Sequence, residues 1–273
     1  MARYKPYAAE FLLLGTTTVV GLLGFWNIYF GQGADPQPHH YLHAATTYIW
    51  MGLLLTQLVL LTSGKRAEHR RWGLAVLAAG PLLVASVALL TVHSASSALA
   101  SGEEDFLIVQ NVLGTFWLAV IILLAFVLKK RRKVHGALLS STLILFLGPA
   151  LFFVLLAFAP PFRIEGPETF YRFQTAAMTA QAIILAIVLL LLIKDRRHNW
   201  PYLLAAASYL LAEAMKAWLT RLDLIDPLTR LVGAPNQASI FLVTFAIVAA
   251  LLAATVLPTK RQKPSASLPP GRV

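Results

Sequence analysis

Histidine is the residue type in this chain best able to do chemistry, and its placement is uneven. There are seven histidines and no cysteine. Any metal ion or haem would therefore be held by His, carboxylate or Met, and thiolate sites are excluded. Three of the seven fall together, as His39, His40 and His43, just after Pro36 and Pro38. Proline suits the first turn of a helix. On a helix starting there, His39 and His43 are four residues apart and His40 and His43 three, which places imidazoles on one face. Imidazole suits copper, zinc and haem iron. His43, Trp50 and Gln57 follow at steps of seven and form one stripe that could wall a cofactor or a quinone. The opposing reading is plain interfacial histidine that meets headgroups and water. A second candidate is Glu213 with Lys216, three apart inside an apolar stretch. Ionisable groups there are costly and are functional candidates for proton or ion movement. A structural ion pair, or Lys216 reaching to the interface, is the alternative.

The elements that must carry these residues are apolar helices. The chain of 273 residues is 58% hydrophobic and only 13% charged. Soluble domains are about 45–50% apolar and about 25% charged. A spanning helix needs roughly 20 mostly apolar residues. Eight segments meet that pattern: 7–30, 41–63, 72–92, 106–128, 137–158, 173–193, 201–220 and 238–257. The first is too long, and lacks the small-residue site, to be a cleaved signal. The reading is an all-α integral membrane bundle of about eight transmembrane helices. It forms a single transmembrane domain over 1–259, with a disordered cytoplasmic tail over 260–273.

Charge sets the orientation. Arg3 and Lys5, the 64–71 loop, the basic run 129–133, the 194–197 loop and the tail after Lys260 hold nearly all the Lys and Arg. These segments occupy alternate connections. The opposite connections hold only Arg163, Arg172, Arg221 and Arg230. By the positive-inside rule both termini are cytoplasmic. The net charge of +11 is then explained by headgroups and insertion, and no nucleic-acid partner is expected.

Two levels of histidine result. His39, His40, His43 and His93 lie at the outer face. His69 opens the third helix and His135 the fifth, both on the cytoplasmic side, and His198 sits in a cytoplasmic loop. His43 and His93 are nearly equidistant from the 64–71 loop, so they should sit at one height on adjacent helices and share a site. His39 or His40 would then be a third copper ligand. Gln174, Gln181 and the run of Ser140, Ser141 and Thr142 suit interhelical hydrogen bonds. No phosphate-binding loop, dinucleotide fingerprint, zinc-protease motif or hydrolase elbow is present, so no residue is assigned as catalytic.

The run Leu42-His43, then Gly64-Lys65-Arg66-Ala67-Glu68-His69-Arg70-Arg71-Trp72-Gly73, then Val92-His93 and Lys133-Val134-His135 resembles a family of bacterial polytopic membrane proteins with a His-Arg-Arg loop. Residues 40–158 are similar to the small four-helix assembly factors of haem–copper cytochrome oxidase. His69, His93 and His135 fall on that family's histidine positions. Gln110 and Asn111 stand where it has a further His, and His43 where it has Asn. The resemblance implies a bacterial plasma (inner) membrane protein linked to respiration, with haem b or copper as cofactor and respiratory oxidase subunits as partners. The alternatives are an ion-coupled transporter using Glu213 and Lys216, or a non-catalytic subunit of a membrane complex.

Overall fold

The computed structural model describes residues 7–102 and 105–256. The expected tail over 260–273 lies outside them, as do Arg3 and Lys5. Every regular element among the described residues is helical: α1 (Ala8–Gly24), α2 (Trp26–Phe30), α3 (Pro38–Thr62), α4 (Arg66–Gly73), α5 (Val76–Ser101), α6 (Ile108–Val127), α7 (Arg132–Phe158), α8 (Tyr171–Lys194), α9 (Trp200–Arg221), α10 (Ile225–Gly233) and α11 (Gln237–Val256). Two 3-10 turns, Pro160–Phe162 and Pro167–Thr169, join α7 to α8.

Six of these are long and apolar enough to cross a membrane: α3, α5, α6, α7, α8 with the turn before it, and α11. The first expected segment is broken at Phe25 into α1, of 17 residues, and the short α2. The seventh, α9, is 22 residues long, and Glu213 and Lys216 interrupt its apolar character. Wide apolar faces of α8 (Leu189, Leu190, Ile193) and α11 (Leu242, Val243, Ile247) remain exposed. Lipid is the solvent such surfaces need.

The 64–71 region corrects one expectation. His69 does not open the third long helix. Gly64, with φ of 75°, ends α3 in the left-handed conformation that glycine adopts without a Cβ penalty. The basic run then forms its own helix, α4. Tight turns from Leu74 to Arg71 and from Ala75 to Trp72 separate it from α5.

The centre of the bundle is α7, which packs against α1, α6, α8 and α9, while α5 packs against α3, α6, α10 and α11. Leu83, Ile121, Ile122, Leu138, Ile144 and Leu147 are fully buried there. Trp50 is 0% exposed, and its indole N–H donates to Thr142 Oγ1 at 3.0 Å. Burying that ring requires a partner for its N–H, and the Ser140, Ser141, Thr142 run supplies it. Pro149 lies inside α7 and cannot donate to the carbonyl four residues earlier. Tyr209 on α9 fills the vacancy, its hydroxyl lying 3.0 Å from the Leu145 carbonyl and 2.9 Å from that of Ile144. Gly148 makes room for this ring, since a Cβ there would collide with the Tyr209 hydroxyl.

End contacts show how the helices alternate. Lys194 lies 3.7 Å from Glu10, Lys133 lies 3.7 Å from Asp195, and Lys129 donates to the Thr255 carbonyl. One end of the bundle thus collects the starts of α1, α7 and α9 with the ends of α6, α8 and α11. That end holds the basic loops. At the other end His39 on α3 meets His93 on α5, Phe106 before α6 meets Phe170 before α8, and Gly233 of α10 abuts Ala95 and Ser96 of α5.

Candidate functional site

Among the described residues, the start of α3 and the latter part of α5 bring together a cluster of ligating atoms. His39, His40 and His93 each place a ring nitrogen within 4.8 Å of the others. The His39 and His93 rings are 3.8 Å apart between centroids, His39 and His40 are 4.3 Å apart, and His40 and His93 are 5.7 Å apart. The sequence causes this locally. Pro38 starts the helix, so His39 and His40 leave its first turn, where Tyr29 of α2 ties down the His40 carbonyl at 2.7 Å.

The ring nitrogens are not equally free. Backbone N–H of Gln37 donates to His40 Nδ1 at 3.0 Å and caps α3. A neutral imidazole accepting at Nδ1 carries its proton on Nε2, so His40 must release this cap before it presents a lone pair through Nε2. His39 Nε2 is buried with no hydrogen-bond partner. His93 Nε2 has a long contact, 3.5 Å, with Ser97 Oγ.

His43 is not in this group, which corrects the expected pairing of His43 with His93. Its Nδ1 lies 3.3 Å from Ser86 Oγ, and Ser86 Oγ lies 2.7 Å from Thr46 Oγ1. The reason is register. Because residues 66–73 form a separate helix, α5 begins later than equal counting from the loop assumes. Ser86 then reaches the level of His43, and His93, seven residues further and roughly 10 Å up the helix, reaches His39. Ser86 donates to the Leu83 carbonyl at 2.8 Å. Which of the His43 imidazole and the Ser86 hydroxyl donates depends on the imidazole tautomer. Ser86 and Thr46 were not singled out from the sequence. The available signal was the step of seven that puts Ser86 on the His93 face.

At the basic end, Gln57 and His69 form a second constellation near His135. Gln57 is buried. With its amide oriented to satisfy both ends, the nitrogen donates to His69 Nδ1 and to the His69 carbonyl, and the oxygen accepts from Gly73 N–H at 3.3 Å. His135 Nδ1 donates to the Ala125 carbonyl of α6 at 2.7 Å. Burial first, then the nearby His135, pushes the His69 imidazole below its ordinary value. In the following loop His198 Nδ1 lies 3.0 Å from both Asp195 carboxylate oxygens, and this hydrogen bond holds the Asp195 carboxyl below its usual value. His198 is thereby a loop-fixing residue.

Among the described residues Glu213 forms no ion pair with Lys216, so the ion-pair alternative is not the arrangement found. Glu213 Oε1 accepts from Gln110 Nε2 at 3.2 Å and Gln181 Nε2 at 3.0 Å, so α6 and α8 both clamp it. Lys216, one turn along, instead faces a cavity between α6, α9 and α10. Three and four residues along a helix share a face, but side-chain directions are set by the neighbours that each finds.

Compared with known proteins, the chain matches no family model, no curated sequence and no solved structure. Its fold and its apolar helices define a multi-pass α-helical membrane protein. Its candidate site is the three-histidine cluster at the end of the bundle away from the basic loops.

Proposed function

We propose that this chain is an eight-pass protein of the bacterial inner membrane, with both termini cytoplasmic, that holds a transition-metal ion on His39, His40 and His93 at its outer face. The observation that carries the reading is the convergence of three imidazole nitrogens within 4.8 Å, one of them buried without a partner. The donor set fits copper or zinc. His39 and His93 supply free nitrogens, and His40 would exchange its hydrogen bond to Gln37 for the metal. A haem b held by two of these rings is the weaker fit. Axial ligands need nitrogens roughly 4 Å apart across the iron, each about 2 Å from it, with the macrocycle between the rings. His39 and His93 lie against one another with centroids 3.8 Å apart.

The respiratory role, as an assembly factor working beside oxidase subunits, rests on the resemblance over residues 40–158. Metal analysis of protein purified from copper- and zinc-replete cells tests the first part. Near one ion per chain, lost in His39→Ala and His93→Ala, is expected. Metal-free protein, or full loading in both variants, overturns it. Co-purification with oxidase subunits tests the second part. Tags at both termini that report opposite sides of the membrane overturn the eight-pass topology.

A second reading, ion-coupled transport, is favoured by the clamping of Glu213. A carboxylate inside the bundle, held by two neutral amides and, among the described residues, by no cation within 4.0 Å, is energetically costly and is a functional candidate for that reason. Loss of transport in Glu213→Gln with intact folding supports it.

A further inference from the structure

At the histidine-cluster end, a second concavity of about 220 Å³ opens between α6, α9 and α10. Its polar lining is Lys216, Thr220, Asp105, Asp223 and Asp226. The apolar floor includes the buried Ile108 and Val109. Asp105 is already spent. Its Oδ2 accepts from Ser94 at 3.0 Å and its Oδ1 from Leu107 N–H at 3.0 Å. Its charge remains, but both its oxygens are engaged, which leaves Lys216, Asp223 and Asp226 as the charged groups of the lining without a partner among the described residues. Among the described residues, no ion pair within 4.0 Å joins Lys216 to Asp223 or Asp226, and none joins any of the three to another side chain. The two signs of charge share one cavity and stay apart across it.

We propose that this cavity binds a small zwitterion, a molecule carrying a carboxylate and an ammonium on a short frame, as an amino acid does. Lys216 receives the carboxylate. Asp223 and Asp226 receive the ammonium, and the Ile108 and Val109 floor takes a short apolar side chain. The chemistry follows from complementarity: a ligand with both charges completes each unpaired group in one step. A simple anion would leave the aspartates without a partner, and a simple organic cation would leave Lys216 without one. The charged contacts would also be partly desolvated against the apolar floor, where electrostatic interactions are stronger than in open water. Charge-assisted hydrogen bonds to carboxylate and ammonium are about twice as strong as neutral ones.

The site is separate from the histidine cluster. Lys216 lies about one turn along α9 from Glu213, which does not itself line the cavity. The inference does not depend on metal at His39, His40 and His93.

Thermal unfolding of the purified full chain in detergent, with and without ligand, tests it, because a molecule that binds only the folded state raises its melting temperature. The probes are glycine, L-alanine, acetate, methylammonium and calcium chloride, each at equal concentration and ionic strength. Glycine or L-alanine should raise the melting temperature, while acetate and methylammonium should not. Lys216→Met should weaken the apparent affinity by about tenfold, as for loss of a hydrogen bond to a charged group, and Asp226→Asn, at an exposed position, should weaken it by less. Lys216→Arg keeps the charge, so it should retain binding and thereby exclude misfolding as the cause. No shift with either amino acid overturns the proposal, as does an equal shift with acetate or methylammonium. A shift with calcium alone overturns it in favour of a cation site on the aspartates.

Discussion

The two ends of the α3–α5 pair carry the same residue type in different arrangements. At one end His39, His40 and His93 crowd their nitrogens together, and His39 Nε2 has no partner at all. At the other, His69 Nδ1 is taken by the Gln57 amide and His135 Nδ1 by the Ala125 carbonyl. A histidine whose Nδ1 accepts a hydrogen bond holds its remaining proton on Nε2 and is a poor ligand as it stands. One whose Nδ1 donates keeps Nε2 as a potential ligand. By this rule His40 is as poorly disposed as His69 and His135 keeps a potential ligand nitrogen, so what separates the ends is the gathering of three ring nitrogens within 4.8 Å at one of them. At the basic end, the amide of Gln57 ties α3 to α4 and thereby holds the bend before α5.

The sharpest break in this comparison is metal retention. His93→Ala should lower metal affinity by more than the roughly 10–100-fold that follows from removing a residue that merely orients a ligand. His69→Ala should leave affinity unchanged. Metal content after dialysis against a chelator reads both, and equal losses in the two variants would erase the distinction between the ends.

Stability should show the reverse ranking. Gln57→Leu leaves His69 Nδ1 and the Gly73 N–H without their partner, which costs about 1–3 kcal/mol. Ser97→Ala, at the other end, removes only a 3.5 Å contact and should cost less than about 0.5 kcal/mol. Denaturant unfolding of both variants in detergent provides the comparison.

Acid adds a smaller effect at the basic end. His69 is pushed below its ordinary value of 6.5 by burial, so the unfolded chain takes up a proton before the folded chain does. The stability it contributes is fully present above the unfolded value and declines as pH falls through 6.5 toward the lower folded value. Unfolding of the wild type and His69→Gln between neutral and mildly acidic pH should diverge in this sense. Parallel curves would show that His69 contributes nothing.

The smallest effect is local. If His40 ligates through Nε2, metal must displace the Gln37 N–H from its Nδ1. The Gln37 amide should then exchange with solvent faster in the metal-loaded protein. Unchanged or slower exchange would mean that His40 stays a helix cap and the ion sits on His39 and His93 with another donor.

The helical, membrane-embedded character of the chain was legible from composition, because apolar runs of this length bury their backbone polar groups only as helices. The alternation of basic loops was legible too, as was the grouping of histidines by end, since both are properties of order along the chain. The partners were not. Equal counting from the 64–71 loop paired His43 with His93, and spacing left an ion pair between Glu213 and Lys216 as one alternative. The first failed because Gly64 and the turn at Leu74 and Ala75 set α4 apart and shifted the register of α5. The second failed because Gln110 and Gln181, far away in sequence, reach Glu213 first. Sequence determines which residues lie on one face of one helix. Which of them meet is decided by the rotation and height of the neighbouring helices, and those are fixed by packing around α7: Trp50 against Thr142, and Tyr209 against the carbonyl that Pro149 leaves unpaired.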